Sequence, residues 1–235
     1  MIHTNGLPTT TEGYLGATGF FDIEHPKVRE FVADAIGDAA SARERAVRLF
    51  YAVRDRIRYD PYRVVFDAAA YRASSVIETG YAWCVPKAGL LAACARAVGI
   101  PSAIGLADVV NHLNTEKLRE RMNGVNVFYD HGYAALYVDG RWLKAAPAFN
   151  IELCERFGVR PPEFDGTSAA LYQESDVAQR RHMKSLADPG PWSALPLEQI
   201  KADFAVHYPG LIRRLAEGAA EDPGRFEDDA AQAVR

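Results

Sequence analysis

Apolar residues recur along this chain first at helical spacing and then at the alternating spacing of strands, and each change of period predicts a change of element. From Pro26 onward, Val28, Phe31, Val32, Ala35 and Ile36 fall on one helical face; Pro26 suits the first helical position and Gly37 a stop. Ser41 and Glu44 have the spacing of a capping box, in which the hydroxyl and the carboxylate each satisfy an orphan amide. The helix they open carries its apolar stripe on Ala46, Phe50, Val53 and Ile57. Residues 62–80 keep no period and read as a mostly irregular connection. A third stripe, Cys84, Ala88, Leu91, Ala95 and Val98, advances by four, three, four and three, so all five share one face before Gly99 and Pro101 end the helix. Residues 102–110 then read as a strand and 115–122 as a short polar helix. Residues 132–138 and 141–146 form the arms of a hairpin around Asp139-Gly140, a dipeptide suited to a type I′ turn. A helix over 151–157 closes at Gly158. Beyond Pro161 and Pro162 the pattern weakens, and helices are expected only at 196–204 and 211–216.

Helices, then a hairpin, then helices again argue for an α+β fold rather than an alternating parallel sheet. The expected organisation is an N-terminal arm over 1–24, a core over 25–158 and a C-terminal extension packed on it over 159–216. Residues 217–235, with six acids against two arginines, are expected to be a flexible acidic tail. A chain of 235 residues, 49% hydrophobic, has enough apolar surface for a full core. Its 31 acids against 27 bases give a net charge of −4 with no basic block, which argues against nucleic acid and anionic membranes as partners. No apolar run approaches the roughly 20 residues of a membrane span. The first residues have neither a basic nor an apolar export region, and three cysteines cannot all pair, so a reducing cytoplasm is the expected compartment.

Chemistry concentrates on Cys84, which opens the third helix in the stretch Gly80-Tyr-Ala-Trp-Cys-Val-Pro-Lys87. A helix N-terminus presents unpaired amides and positive potential, which favour a thiolate and can hold an oxyanion. Cys94 lies inside the same helix and Cys154 on a later one, so both read as small core residues. None of the six histidines has metal-ligand spacing with another histidine or a cysteine, so neither a metal nor another cofactor is expected. His131 lies on the first hairpin strand, where it shares a face with Tyr133, Ala135 and Tyr137. Tyr81 and Trp83 could wall the site or assist at the oxyanion, and Asn111 and His112 could line the cleft from the end of the preceding strand. Lys87, one turn beyond Cys84, could favour its thiolate, but a lysine there is more often solvated, and that is the reading expected.

Trp83-Cys84, the run from Leu90 to Gly99-Ile100-Pro101, and Asp130-His131-Gly-Tyr-Ala-Ala-Leu-Tyr-Val-Asp-Gly-Arg-Trp142 together resemble the transglutaminase-like superfamily over roughly residues 41–150. Asn111-His112-Leu113, residues 147–158 and Phe164-Asp165-Gly166 further resemble an uncharacterised bacterial subgroup of it. The resemblance implies a papain-like core in which the helix bearing Cys84 packs on an antiparallel sheet, with helical additions at both ends. It also implies acyl transfer: Cys84 attacks a carbonyl of a peptide, protein or small amide, and His131 acts as general acid and base.

One position departs from the pattern. The superfamily's third residue, usually Asp, falls fifteen positions after the histidine, on Ala146. With a two-residue turn at Asp139-Gly140, Val138 faces Arg141 and His131 would face Ala148, leaving Ala146 and Asn150 as diagonal neighbours about 7 to 8 Å away. Asn150 therefore suits two roles, a stand-in for the missing carboxylate and a cap for the helix that follows. Asp130 is expected on the opposite face from His131, and Asp165 and His182 are more distant candidates. Ala146 also keeps open an alternative reading, a catalytically inactive relative that binds a peptide or partner in its cleft.

Overall fold

Caps and stops shape the first half of the fold. The computed structural model describes residues 7–111, 114–171, 183–217 and 224–233. Helix α1 (Pro26–Ile36) has proline in its first turn and ends at Gly37, whose φ is 51°. In α2 (Ala42–Arg56) the capping box is complete: Ser41 Oγ accepts from the Glu44 amide at 3.1 Å, and the Glu44 carboxylate accepts from the Ser41 amide at 3.0 Å. Next comes β1 (Arg58–Tyr59), followed by two 3-10 turns, α3 (Ala73–Thr79) and β2 (Tyr81–Ala82), which pairs in parallel with β1. The seven residues of α3 are too few to show a helical period, so this segment reads as irregular in the sequence.

Helix α4 (Cys84–Ala97) is buried at every residue from Cys84 to Arg96, so the stripe seen in the sequence is one side of a helix enclosed all round. Lys87 is inside with it, which corrects the expectation of a solvated lysine. Its ammonium donates to the carbonyls of Arg54 at 2.8 Å and of Ile57, satisfying groups that the C-terminal end of α2 leaves without helical partners. Burial lowers its pKa to about 7.

The sheet follows. Strand β3 (Ser102–Asn111), helix α5 (Glu116–Arg121), β4 (Val127–Val138) and β5 (Arg141–Ala145) lead through the hairpin, whose Asp139 and Gly140 have φ of 48° and 81°, the left-handed pair of a type I′ turn. Pairing runs from Val138↔Arg141 to Ala134↔Ala145, in the register the turn predicts, and stops there. Beyond it the Ala146 amide donates to the Ala170 carbonyl at 2.7 Å, and the Ala170 amide to the Lys144 carbonyl at 2.8 Å. Helix α6 (Ile151–Phe157) ends at Gly158.

Strand β6 (Met183–Trp192) completes an antiparallel sheet of order β5-β4-β3-β6. Its Pro189, Gly190 and Pro191 resemble a loop in sequence, but an edge strand tolerates residues that cannot donate on both sides. Helices α7 (Leu197–His207) and α8 (Pro209–Ala216) follow as expected, and α9 (Phe226–Ala233) does not. Residues 226–233 are a docked helix rather than a flexible tail. Phe226 and Ala230, four apart, are buried, and the Phe226 ring meets those of Tyr59, Tyr62 and Phe157 at 5.4 to 5.8 Å. The acids beside them find partners, Asp228 on Arg156 and Asp229 on the Tyr62 hydroxyl.

The N-terminal segment is irregular, as its composition implies, but it is anchored: Phe21 is fully buried, and the carbonyls of Tyr14 and Gly16 accept from the Ser102 amide and the Arg96 guanidinium. Among the described residues no helix is long and apolar enough to cross a membrane.

Candidate active site

Cys84 is the first residue of α4, and Trp83 before it has extended backbone and makes no side-chain cap. The amides of the first turn therefore face the site rather than a capping side chain. Across from them lies β4. His131 pairs with Ala107 on β3, and the next residue, Gly132, packs directly against the start of α4. A Cβ there would lie 2.6 Å from the Val85 Cα and 2.9 Å from the Cys84 carbonyl oxygen, so only glycine permits this approach. The contact sets the chemistry. The main-chain amides of Gly132, Val85 and Cys84 itself all act on the thiol to favour its charged form, which places the sulfur beside the residue that follows His131. Cys84 and His131 line one cleft of about 500 Å³, together with Tyr59, Trp83 and apolar side chains of α5, β4, α7 and α8.

Burial dominates the electrostatics. It pushes the Cys84 thiol up to about 12 against the opposing pull of three main-chain amides, and it pushes His131 down to about 4. The expectation that the helix end would leave a thiolate is corrected accordingly: near neutral pH the resting pair is a neutral thiol and a neutral imidazole.

Asp130 sits at an irregularity in β4 and is not among the residues that line the cleft with Tyr129 and His131. Between the pairs Ala107↔His131 and Val109↔Phe128, β4 carries one residue more than β3, and Asp130 takes a left-handed φ of 58° in this bulge. Asp130 and His131 are both buried, as is every residue of β4 from Asp130 to Leu136, because both faces of the strand are covered there. The Asp130 amide donates to Asp108 Oδ1 at 3.2 Å. Burial, with the charges of Asp203 and Asp108, raises its carboxyl to about 7, and its own charge acts on Cys84.

The remaining candidates separate. Trp83 is a wall, with its ring 5.5 Å from that of Phe204 and 6.2 Å from that of Tyr71. Tyr81 lines a different cleft, of about 610 Å³, on the other side of Trp83, and the Arg63 guanidinium lies 4.6 Å from its ring. It is not part of the Cys84 cleft. Asn111 ends β3 opposite Met183. His112 and His182 lie outside the described residues. Asp165 is exposed and bonds its own neighbours, Thr167 and Ser168, which hold its carboxyl down at about 2.

Asn150 corrects a further expectation. The ladder that would place it diagonally from His131 ends at Ala145, with Pro147 close behind. Its Oδ1 accepts from the Tyr59 amide at 3.0 Å, and its Nδ2 donates to Glu152 at 2.8 Å and Glu227 at 3.1 Å. The side chain therefore ties β1 and α9 to the start of α6, and although Asn150 stands at the N-cap it caps nothing. Ala146 is buried and has no group that could orient an imidazole.

Sequence reasoning missed Phe204, Tyr208 and Leu211, which close the cleft from α7 and α8. Their signal was present, because Ile200, Phe204, Tyr208 and Leu211 advance by four, four and three, but the stripe crosses the break at Pro209. Among the described residues no group of three His, Cys, Asp or Glu side chains could hold a metal ion.

Comparison with known proteins bears on this geometry. No curated protein sequence matches the chain. Among solved structures, a Cytophaga hutchinsonii protein provisionally named a cysteine protease is similar, with 13% identity and a TM-score of 0.44 over 74% of this chain and 52% of its own, so the chain spans about half that protein's length. A family model described as the transglutaminase-like superfamily matches residues 29–147, which include Cys84, His131 and Ala146. The match takes in half of the sequence, and the α4–β4 contact that seats Cys84 lies inside it. The chain belongs to the transglutaminase-like superfamily.

Proposed function

We propose that the protein catalyses acyl transfer through a thioester on Cys84, with His131 as general acid and base. The observation that carries this reading is the cleft shared by the two side chains, with Gly132, the residue after His131, packed against the backbone of Cys84 and Val85. Because both groups rest neutral, the thiol proton passes to His131 as sulfur attacks the carbonyl carbon. The amide of Cys84, at the start of α4, is the donor for the developing oxyanion. His131 then returns the proton to the leaving amine, and the thioester passes to water or to a second amine.

The test is direct acylation by p-nitrophenyl acetate, read by peptide mapping that separates Cys84 from Cys94 and Cys154. An acetyl adduct on Cys84 is expected in the native chain, none in Cys84→Ala, and formation slower by about a hundredfold in His131→Ala. Equal rates with and without the imidazole would remove His131 from the mechanism.

Ala146 favours a second reading, an inactive module that holds a peptide or partner in the same cleft. That reading requires no adduct in the native chain and peptide binding that survives Cys84→Ala.

A further inference from the structure

We infer that the acyl group delivered to Cys84 is uncharged and apolar, and that α5 with the α7–α8 pair selects it. This rests on the acyl-transfer reading above and names its substrate class. Beside Cys84 and His131 the cleft is walled by Leu118 and Met122 at α5, Phe128 on β4, Phe204 on α7 and Leu211 on α8. Its lining is mainly apolar, as in small-molecule sites, where a few polar groups fix orientation.

Two polar side chains of the lining, Tyr208 and Arg121, are already engaged. The Tyr208 hydroxyl donates to the Val127 carbonyl and accepts from the Tyr129 amide, both at 2.7 Å. Arg121 turns toward Tyr62, donating to its carbonyl at 3.1 Å with the guanidinium 4.5 Å from its ring. A charged acyl chain would therefore lose water without gaining a matched partner, whereas an alkyl or aryl chain gains with each buried methylene. Two charged alternatives remain as outcomes of a test: an anion drawn to Arg121, and a cation drawn to Asp130. Because α7 and α8 lie outside residues 29–147, their share of the preference lies beyond the part of the chain that the family model matches, whereas that of α5 and Phe128 lies inside it.

The experiment uses the full chain and four p-nitrophenyl esters, those of acetate, hexanoate, glutarate with its free carboxylate, and 6-aminohexanoate. In each, the bond from sulfur to the carbonyl carbon forms, the ester C–O bond breaks, and nitrophenol leaves with the proton from the thiol. Acylation of Cys84 by hexanoate is expected to exceed that by acetate at least about tenfold, since a buried methylene contributes up to about fourfold. Glutarate and 6-aminohexanoate are expected at least about tenfold below hexanoate. In Leu211→Lys the ratio of glutarate to hexanoate should rise about tenfold, and in Phe204→Ala the ratio of hexanoate to acetate should fall. Both readouts are ratios within one protein, so a misfolded fraction cancels.

Acetate and hexanoate reacting alike, or a charged ester leading, overturns the inference while leaving acyl transfer in place. Ratios that do not move in either variant overturn the role of α7 and α8. No adduct from any ester overturns the acyl-transfer reading and the inference with it.

Discussion

The two walls of the Cys84 cleft are built on opposite principles. On one side backbone lies on backbone: α4 is buried at every residue from Cys84 to Arg96, and Gly132 brings β4 into contact with its first turn. On the other side α8 has no buried residue, and the α7–α8 pair reaches the cleft only through side chains such as Phe204, Tyr208 and Leu211. A wall made of main chain cannot change one residue at a time without moving the reacting atoms. A wall made of side chains can, so chemistry is held by the first and selectivity is free to vary on the second.

The sharpest way to break this contrast is Gly132→Ala. The added Cβ meets main-chain atoms that cannot step aside, so β4 must retreat from α4. Cys84 acylation is expected to fall at least about a hundredfold, since a displacement of about 1 Å at reacting groups costs that much. Acylation close to the native rate would show that the backbone contact does not set the geometry.

Protonation attacks the same wall more gradually. In the unfolded chain a histidine titrates near 6.5, whereas the folded chain refuses the proton on His131 until about 4. The contribution of neutral His131 is fully present above about pH 6.5 and is lost as pH falls toward 4, by about 3 kcal/mol at most. Asp130 works in the other direction. Its folded carboxyl titrates near 7 rather than 3.8, so its proton favours the folded chain at low pH and that contribution is lost as pH rises through the window. Urea midpoints should therefore lose less on acidification in His131→Leu than in the native chain, and more in Asp130→Asn; the reverse order would contradict both assignments.

The side-chain wall should yield smaller effects. Tyr208→Phe removes the hydroxyl that ties α7 and α8 to the Val127 carbonyl and the Tyr129 amide, at a cost of about 1 to 2 kcal/mol. Hexanoate should show a higher KM with little change in kcat; a fall in kcat alone would place Tyr208 in the chemistry. Ser41→Ala, remote from both walls, should lower stability by about 1 kcal/mol through loss of the capping box and leave acylation unchanged.

The parts of the fold legible in the sequence are those governed by local rules. Ser41 and Glu44 announce α2, Asp139-Gly140 sets the register from Val138↔Arg141, and the stripe beginning at Cys84 puts that cysteine at a helix N-terminus. What the sequence concealed depends on tertiary partners. Lys87 is buried because the end of α2 supplies carbonyls for it, and α9 docks because Phe226 finds Tyr59, Tyr62 and Phe157. The extended ladder misplaced Asn150 because the pairing stops short of Pro147. Phe204 and Leu211 needed a stripe to be followed across a helix break.

The edges of the sheet carry a consequence for behaviour at high concentration. An open four-stranded sheet offers two rows of backbone groups to which another chain could add a strand. Here the β5 row is occupied near its end by Ala170, which takes up the Ala146 amide and the Lys144 carbonyl. On the β6 row Pro189 and Pro191 have no amide hydrogen, and the Gly190 amide between them donates to Asp188 at 3.2 Å. An approaching chain would meet interrupted rows on both flanks, so the sheet resists templated aggregation without closing into a barrel.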